Sequence, residues 1–278
     1  MPKRIRLDRL LVDRGLAPSR ERARALILAG QVLVDGQLAS KAGTEVSPDV
    51  RVALSTPDHP YVGRGGVKLA HALDEFGIDV GRPPGRHALD VGASTGGFTD
   101  VLLRRGAADV IALDVGYGQL AWSLRNDPRV LVREHVNARA LTARDVPHPV
   151  DLVSVDVSFI SVRLILPALR PFLADGADLI VLVKPQFEAG RGEVGKGGVV
   201  IDPAVHEAVV ARVIEAARTL GYAYLGQTPS PIAGASGNRE FFVHLRFDQH
   251  AVDPQSADDV TSHEAAPSPS RPGSKTLS

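Results

Sequence analysis

Four charged residues stand beside apolar segments of this sequence, in the order lysine, acid, lysine, acid. They are Lys68, Asp156, Lys184 and Glu240. Asp156 and Lys184 each follow an apolar segment directly, and Glu240 precedes one directly. Charges at the tips of buried strands are costly to desolvate unless opposite charges pair. Because such pairing also tunes proton affinity, the set predicts acid–base chemistry at one edge of a sheet, with a lysine as the base.

A glycine-rich segment, Ala88-Leu-Asp-Val-Gly-Ala-Ser-Thr-Gly-Gly-Phe-Thr-Asp100, ends one apolar segment and opens a helical one. Backbone N–H groups at such a helix start can meet a nucleotide-like ligand. Ser94 stands where dinucleotide-binding loops need glycine for approach to the pyrophosphate, which argues against NAD and FAD. Asp114, 22 residues after Gly92, is placed to bind ribose hydroxyls. The pattern predicts a ribose-bearing ligand without pyrophosphate, and S-adenosylmethionine is the common one.

The residues expected to contact this methyl donor lie in the glycine-rich segment and at the ends of the following strands. They are Asp90, Gly92, Ser94, Gly96, Gly97, Asp114 and Asn137. A glycine-rich turn in an ordinary α/β domain is the alternative interpretation. No metal is expected, because the chain contains no cysteine and His206, His244 and His250 lack ligand spacing with carboxylates.

The elements that position these residues are indicated by apolar segments alternating with longer stretches from about residue 67 onward. The apolar segments cover residues 87–91, 109–113, 130–132, 151–155 and 179–183. The stretches between them are long enough for helices, and this alternation is typical of βαβ units and a parallel sheet. A helix near 203–220 and strands near 222–227 and 240–247 complete the predicted α/β domain, residues 67–247.

The first 60 residues follow a different pattern and predict a small α+β module. Leu7, Leu10 and Leu11 fall on one helical face. Ser19 is placed as the N-cap of a second helix. Asp35-Gly36 is a strong signal for a two-residue hairpin between short strands.

Basic residues concentrate at the start of the chain, although the formal net charge is zero. Residues 1–24 contain eight Lys or Arg against three Asp or Glu, which predicts a polyanion-binding module. The residues expected to contact the phosphates of such a polyanion are Arg4, Arg6, Arg20 and Lys41. Because no Phe, Trp or Tyr precedes Tyr61, recognition of shape and phosphates is expected rather than base stacking. Solvated arginines on two amphipathic helices are the alternative.

The composition narrows the class of protein further. A chain of 278 residues, 44% hydrophobic and 23% charged, is typical of a globular protein. Residues 61–66 are rich in glycine and predict an interdomain linker, while residues 248–278, with four prolines, six serines and no aromatic residue, predict a disordered tail. The aliphatic run 179–183 has five residues where a membrane span needs roughly 20, so a cytoplasmic protein without membrane contact is expected.

The lysine–acid set resembles a known catalytic pattern. Lys68, Asp156, Lys184 and Glu240 match, in order and placement, the Lys-Asp-Lys-Glu tetrad of FtsJ-like ribose 2′-O-methyltransferases. The stretch Lys184-Pro-Gln-Phe-Glu188, the Val-Asp-Val-Ser-Phe-Ile stretch ending at Ile160 and the basic N-terminal module resemble the TlyA (hemolysin A) family. The resemblance covers about residues 1–247.

This resemblance implies an S4-like RNA-binding domain at residues 1–60 and a class I (Rossmann-like) S-adenosylmethionine-dependent methyltransferase domain at 67–247. It implies ribosomal RNA in ribosomal subunits as substrate, methylated at cytidine 2′-hydroxyls, by a protein expected to be monomeric. Lys184 is the expected base, oriented by Asp156 and Glu240, and Lys68 is expected to position the 2′-hydroxyl. Repulsion between the lysines favours a neutral Lys184 whereas the carboxylates favour a charged one, so its resting state stays open.

Three other functions compete with this interpretation. A methyltransferase for bases or small molecules often carries an Asn/Asp-Pro-Pro-aromatic stretch, where this chain has Asp156-Val-Ser-Phe159. A membrane-acting haemolysin needs a long apolar segment, which the sequence lacks. A ribosome factor without enzymatic activity would not need the tetrad.

Overall fold

The chain folds into two compact units, Met1–Tyr61 and Val62–Ser278. The computed structural model describes residues 4–28, 30–54, 59–190, 192–234 and 237–249. Most of the predicted tail, from residue 250 onward, therefore lies outside the described residues. The smaller unit is the predicted α+β module and the larger one the predicted α/β domain.

The smaller unit combines two helices with short strands. Its elements are β1 (Ile5–Arg6), α1 (Leu7–Asp13), α2 (Arg20–Leu28), β2 (Val32–Val34), β3 (Gln37–Leu38), β4 (Glu45–Val46) and β5 (Val52–Leu54). Strand β1 pairs with β4, and β3, β2 and β5 form a second antiparallel sheet. The helices bury a shared apolar cluster with the start of β2, including Leu7, Leu11, Ala23, Leu26, Ile27 and Val32.

Local signals in this unit behave as the sequence predicts. The Ser19 hydroxyl accepts a hydrogen bond from the backbone N–H of Arg22 at 3.1 Å, as an N-cap does. Asp35 and Gly36 adopt φ values of 50° and 83° between β2 and β3. Two successive left-handed residues are what a tight hairpin turn requires, and Asp-Gly tolerates them well. The predicted hairpin is confirmed.

The larger unit alternates strands and helices. Its strands are β6 (His87–Val91), β7 (Asp109–Leu113), β8 (Val130–Arg133), β9 (Val150–Val155), β10 (Leu173–Val183), β11 (Tyr222–Pro229) and β12 (Phe241–Phe247). Its α-helices are α3 (Gly65–Glu75), α4 (Gly97–Arg104), α5 (Trp122–Arg125), α6 (Leu166–Leu169), α7 (Pro185–Glu188) and α8 (Pro203–Thr219). Short 3₁₀ turns cover Val162–Leu164, Arg170–Phe172 and Lys196–Gly198.

These strands form one seven-stranded sheet in the order β11-β12-β10-β9-β6-β7-β8. Strands β6 to β10 pair in parallel, and β12 is antiparallel to both β10 and β11. Strand β10 begins before the predicted segment 179–183. The prediction missed the first part of the strand because that part is less apolar. The carboxyl ends of the parallel strands and the amino end of β12 consequently meet at one edge of the sheet.

Both faces of the sheet are buried, as expected for a largely parallel sheet between helices. One set of alternating side chains, including Leu89, Val153 and Val181, shares a core with Val209 and Val213 of α8. The opposite face is buried as well, and there Phe98 of α4 lies 6.2 Å from Phe242 of β12, measured between ring centroids.

The glycine-rich stretch at residues 61–66 differs from the linker that its composition predicts. The backbone N–H of Val62 donates to Asp100 at 2.9 Å, and α3 already begins at Gly65. A Cβ at Gly63 would lie 2.7 Å from the Thr95 hydroxyl. From Val62 onward these residues belong to the larger unit, where the glycines permit close packing rather than flexibility.

A buried charge cluster surrounds Asp178 of β10. Its carboxylate accepts hydrogen bonds from Arg86 at 2.6 Å and from His244 and Arg246 at 2.8 Å. Burial acts to raise the pKa of Asp178, but the three hydrogen bonds outweigh it and hold the pKa well below its usual range. The cluster ties β10 and β12 to the segment just before β6.

Candidate active site

The four predicted catalytic residues form two close ion pairs. Lys68 Nζ lies 2.5 Å from Glu240 Oε2, and Lys184 Nζ lies 2.5 Å from Asp156 Oδ1. All four side chains are at least four-fifths buried. A buried charge is costly unless an opposite charge compensates it, and here each residue has such a partner. The structure brings together residues that are up to 172 positions apart in the chain.

Strand register explains why the two pairs are neighbours. Val183, the last residue of β10, is paired with Phe241, the first residue of β12. The next antiparallel positions are Lys184 and Glu240, so these two residues face each other just beyond the ladder. Asp156 follows β9, which pairs with β10 on its other side. Three of the four residues are thus placed by strand ends, and Lys68 reaches them from α3.

The partner of Glu240 differs from the sequence expectation. Glu240 was expected to orient Lys184, but its hydrogen bond at 2.5 Å is with Lys68. Lys184 instead donates to the Ser158 hydroxyl at 2.9 Å, besides pairing with Asp156. The side chain of Lys68 extends from α3 along the sheet edge as far as Glu240, which sequence order alone does not indicate.

A cavity of about 530 Å³ opens along the same edge of the sheet. Its lining includes Gly92, Ser94, Asp114, Gln119, Asn137, Asp156, Ser158 and Phe159. This size falls within the range usual for small-molecule sites. The cavity reaches the tetrad at Asp156, so a ligand held near the glycine-rich loop would lie beside the Lys184–Asp156 pair.

Asp114 organises the loop side of this cavity. Its two carboxylate oxygens accept backbone N–H bonds from Ser94 at 2.8 Å and from Gly116 at 2.6 Å. Each oxygen can accept more than one hydrogen bond, so hydroxyl groups of a ligand can still bind there. A Cβ at Gly92 would lie 2.3 Å from the Asp156 carbonyl, so only glycine permits this approach of β6 to the segment after β9.

Three predicted ligand contacts shape the site without lining the cavity. Asp90 is fully buried and accepts hydrogen bonds from Thr99 at 2.7 Å and Ser154 at 2.9 Å. Burial raises the pKa of Asp90 to about 6, against the effect of these hydrogen bonds. A Cβ at Gly96 would lie 2.2 Å from Leu124, and one at Gly97 would lie 2.9 Å from a backbone nitrogen in α3. Their requirement for glycine is steric.

Several residues at the site carry no clear mark in the sequence. Ser158, which contacts Lys184, lies two positions after Asp156 and could have been found as a polar residue following a predicted strand. Gln119 lines the cavity and contacts the Ser94 hydroxyl at 3.3 Å, but no local pattern marks it. A Cβ at Gly234 would lie 2.3 Å from the Glu240 carboxylate, so this glycine gives that side chain its space.

In the smaller unit, two of the four predicted RNA-binding residues share a partner. Asp8 is fully buried and lies 2.9 Å from Arg6, 3.2 Å from Arg20 and 3.4 Å from Arg24. The hydrogen bond from Arg6, opposed by burial and supported by Arg20, lowers the pKa of Asp8 to about 2. One anion therefore gathers three arginines into a surface with a net positive charge. Arg24 was missed because its position in the helix alone does not reveal Asp8.

The other two predicted RNA-binding residues, Arg4 and Lys41, are exposed. Among the ion pairs between described residues, neither of them contacts Asp8. Their contact with phosphates stays a prediction. In the part of the chain that the structure describes, no helix has both the length and the apolarity needed to cross a membrane.

Comparison with known proteins identifies relatives of both units. Residues 61–247 match the FtsJ-like methyltransferase family, and residues 5–52 match the S4 domain. The 16S/23S rRNA (cytidine-2′-O)-methyltransferase TlyA of Mycobacterium tuberculosis is 52% identical over 88% of this chain and 91% of its own length. Hemolysin A of Brachyspira hyodysenteriae is 40% identical over 87% of this chain and 99% of its own. A solved Streptococcus thermophilus structure bearing the hemolysin name is 42% identical, covers 90% of each chain and gives a TM-score of 0.69.

Proposed function

Because this chain belongs to the FtsJ-like methyltransferases and carries an S4 domain, we propose that it methylates the 2′-hydroxyl of cytidine in ribosomal RNA. The methyl donor is S-adenosylmethionine. The substrate is the RNA within ribosomal subunits, which places the protein in the cytoplasm, and it acts as a monomer.

The observation that carries this proposal is the pair of ion pairs beside the cavity. A 2′-hydroxyl must lose its proton as it is methylated, and a lysine whose amine is neutral can take that proton. Lys184 is this base, held by Asp156 at 2.5 Å and by Ser158 at 2.9 Å. Lys184 must therefore first release its own proton, to Asp156 or to solvent. Lys68, held by Glu240 at 2.5 Å, positions the hydroxyl. Each lysine thus has its own acidic partner, so one can orient the hydroxyl while the other accepts its proton.

The donor fits the cavity by chemistry and by size. When bound, S-adenosylmethionine supplies a methyl group already activated by a sulfonium. Asp114 can accept hydrogen bonds from ribose hydroxyls. Ser94 stands where a dinucleotide needs glycine for the approach of its pyrophosphate, and S-adenosylmethionine has no pyrophosphate. Asn137 lines the same cavity. The protein's remaining task is to hold donor and acceptor in reactive geometry, which is a large part of catalysis for such displacements.

Replacing Asp114 by alanine is expected to weaken donor binding by about tenfold or more, because hydrogen bonds to the ribose and the brace on Ser94 both disappear. Isothermal titration calorimetry with S-adenosylmethionine measures this. Glu207→Ala, which removes an exposed carboxylate on α8 that does not line the cavity, is the matched control and should bind the donor normally. Equal affinity of Asp114→Ala and the unchanged protein would contradict the assignment of the cavity.

The arginines around Asp8 are proposed to contact RNA phosphates. Arg6→Glu is expected to lower affinity for ribosomal RNA and to reduce the slope of log K against log salt by about one for each phosphate that the variant no longer neutralises. Arg9→Glu makes the same charge change outside this cluster, where Arg9 pairs with Asp13 at 3.6 Å, and should have a smaller effect. Filter binding over a salt series gives both slopes. The same slope and affinity in all three proteins would remove this surface from the RNA interface.

The function itself is tested by methylation of separated small and large ribosomal subunits with labelled donor. Digestion to nucleosides should place the label on 2′-O-methylcytidine. Label on a base instead would support the alternative methyltransferase function. Binding of subunits without any transfer would support the ribosome factor.

A further inference from the structure

Three residues with metal-binding side chains meet at the edge of the sheet opposite the tetrad. His87 begins β6 and is paired in register with Asp109, which begins β7. His148 lies two residues before β9, the other neighbour of β6. The carboxylate of Asp109 lies 2.5 Å from His87 Nδ1 and 3.6 Å from His148 Nε2. One ligand atom from each residue falls within a span of 4.8 Å.

The ring of His148 is oriented for coordination. Its Nδ1 lies 3.2 Å from the backbone carbonyl of Pro149, which can only accept a hydrogen bond. With the proton on Nδ1, His148 donates to this carbonyl and leaves the Nε2 lone pair, on the side of Asp109, available to a metal ion. Metal-binding histidines commonly donate their second N–H to a carbonyl in this way. The two imidazole rings, 5.1 Å apart between centroids, flank one carboxylate.

We propose that His87, Asp109 and His148 form a binding site for a divalent transition-metal ion, with Zn²⁺ as the ion best suited to it. Two imidazoles and one carboxylate are a common zinc ligand set, and water completes the coordination. Mg²⁺ and Ca²⁺ prefer oxygen ligands, so two nitrogens disfavour them. Partial exposure of all three side chains gives the ion access from solvent.

The position of this site points to stability rather than methyl transfer. Strand β6, which is five residues long and begins with His87, spans about 16 Å from this site to the opposite edge. A bound ion would join the starts of β6 and β7 to the segment that enters β9. It would thereby hold the centre of the sheet at its amino-terminal edge, remote from Lys184 and Asp156.

The test uses the full chain without an affinity tag, stripped with EDTA and titrated with ZnCl₂ by calorimetry. We expect one Zn²⁺ per chain with a dissociation constant of micromolar or below, and a melting temperature that rises with zinc concentration. Millimolar Mg²⁺ should not compete. The proposal would be overturned if no binding is detected at about 100 micromolar Zn²⁺, a concentration high enough to occupy even a weak site.

Variants locate the binding. His148→Ala and His87→Ala should each weaken Zn²⁺ binding by at least about tenfold. Loss of a residue that only hydrogen-bonds to a metal ligand already costs about tenfold in metal affinity, and loss of the ligand itself costs at least as much. His135→Ala, an exposed histidine of the same unit that stacks on Tyr117, should bind zinc normally. His87 is half exposed, so its variant is expected to stay folded, which circular dichroism checks. Unchanged zinc affinity in folded His87→Ala would overturn the site.

Discussion

Replacing Lys184 by alanine is expected to slow methyl transfer to ribosomal RNA by about 10²–10⁴-fold, the usual cost of losing a general base. Lys184 does not line the cavity, so donor affinity should change little. Single-turnover methylation of ribosomal subunits under saturating donor measures the rate. Thermal melting of the variant should be measured alongside the rate, because the variant leaves the carboxylate of Asp156 without its lysine.

Two further variants separate proton transfer from simple charge. Lys184→Arg should not restore activity, because a guanidinium stays protonated and cannot accept a proton. Ser158→Ala removes the hydroxyl 2.9 Å from Lys184 and should reduce the rate less than loss of the lysine itself. A nearly normal rate in Lys184→Ala would refute the mechanism. A fully active Lys184→Arg would reduce this lysine to a positioning charge.

Asp178→Ala is expected to lower the free energy of unfolding by about 3–5 kcal/mol, the cost of breaking a buried charge network by removing one partner. Arg86 and His244 would stay buried without the carboxylate that they contact at 2.6 and 2.8 Å. Urea unfolding followed by circular dichroism measures the loss. Glu215→Ala is the matched control, because its pair with Arg218 is exposed and spans 3.9 Å, so about 0–1 kcal/mol is expected.

Because the pKa of Asp178 is lowered in the folded protein, the stabilisation by its charge cluster depends on pH. A carboxylate with a depressed folded pKa contributes stability that is complete above its ordinary pKa of about 3.9. That contribution is lost as the pH falls toward the folded value. Below about pH 4 the unchanged protein should therefore lose more stability on acidification than Asp178→Asn does. A loss below about 1 kcal/mol in Asp178→Ala, or identical acid profiles, would contradict the role of this cluster.

Much of the fold follows from the sequence because its signals are local. Apolar segments and turn residues predict the strands β6 to β9, the helix α8 and the hairpin at Asp35-Gly36, and the structure contains all of them. The α/β methyltransferase fold and the S4 domain, implied by resemblance, are confirmed by the family matches. Where composition and packing conflict, the sequence misleads. The glycines near residue 63 predict a linker, yet they lie against the loop that contains Thr95.

Which residues stand at strand ends follows from the local sequence, since hydrophobic periodicity and turn residues act over a few neighbouring positions. Which of these residues meet depends on the folded chain. Lys68 pairs with Glu240 rather than leaving that acid to Lys184, and Asp8 gathers arginines from another helix. Asp90 turns toward Thr99 instead of the cavity, and His87, Asp109 and His148 converge although no spacing connects them. Strand order and register set these partners, and both depend on how distant segments bury their apolar faces together.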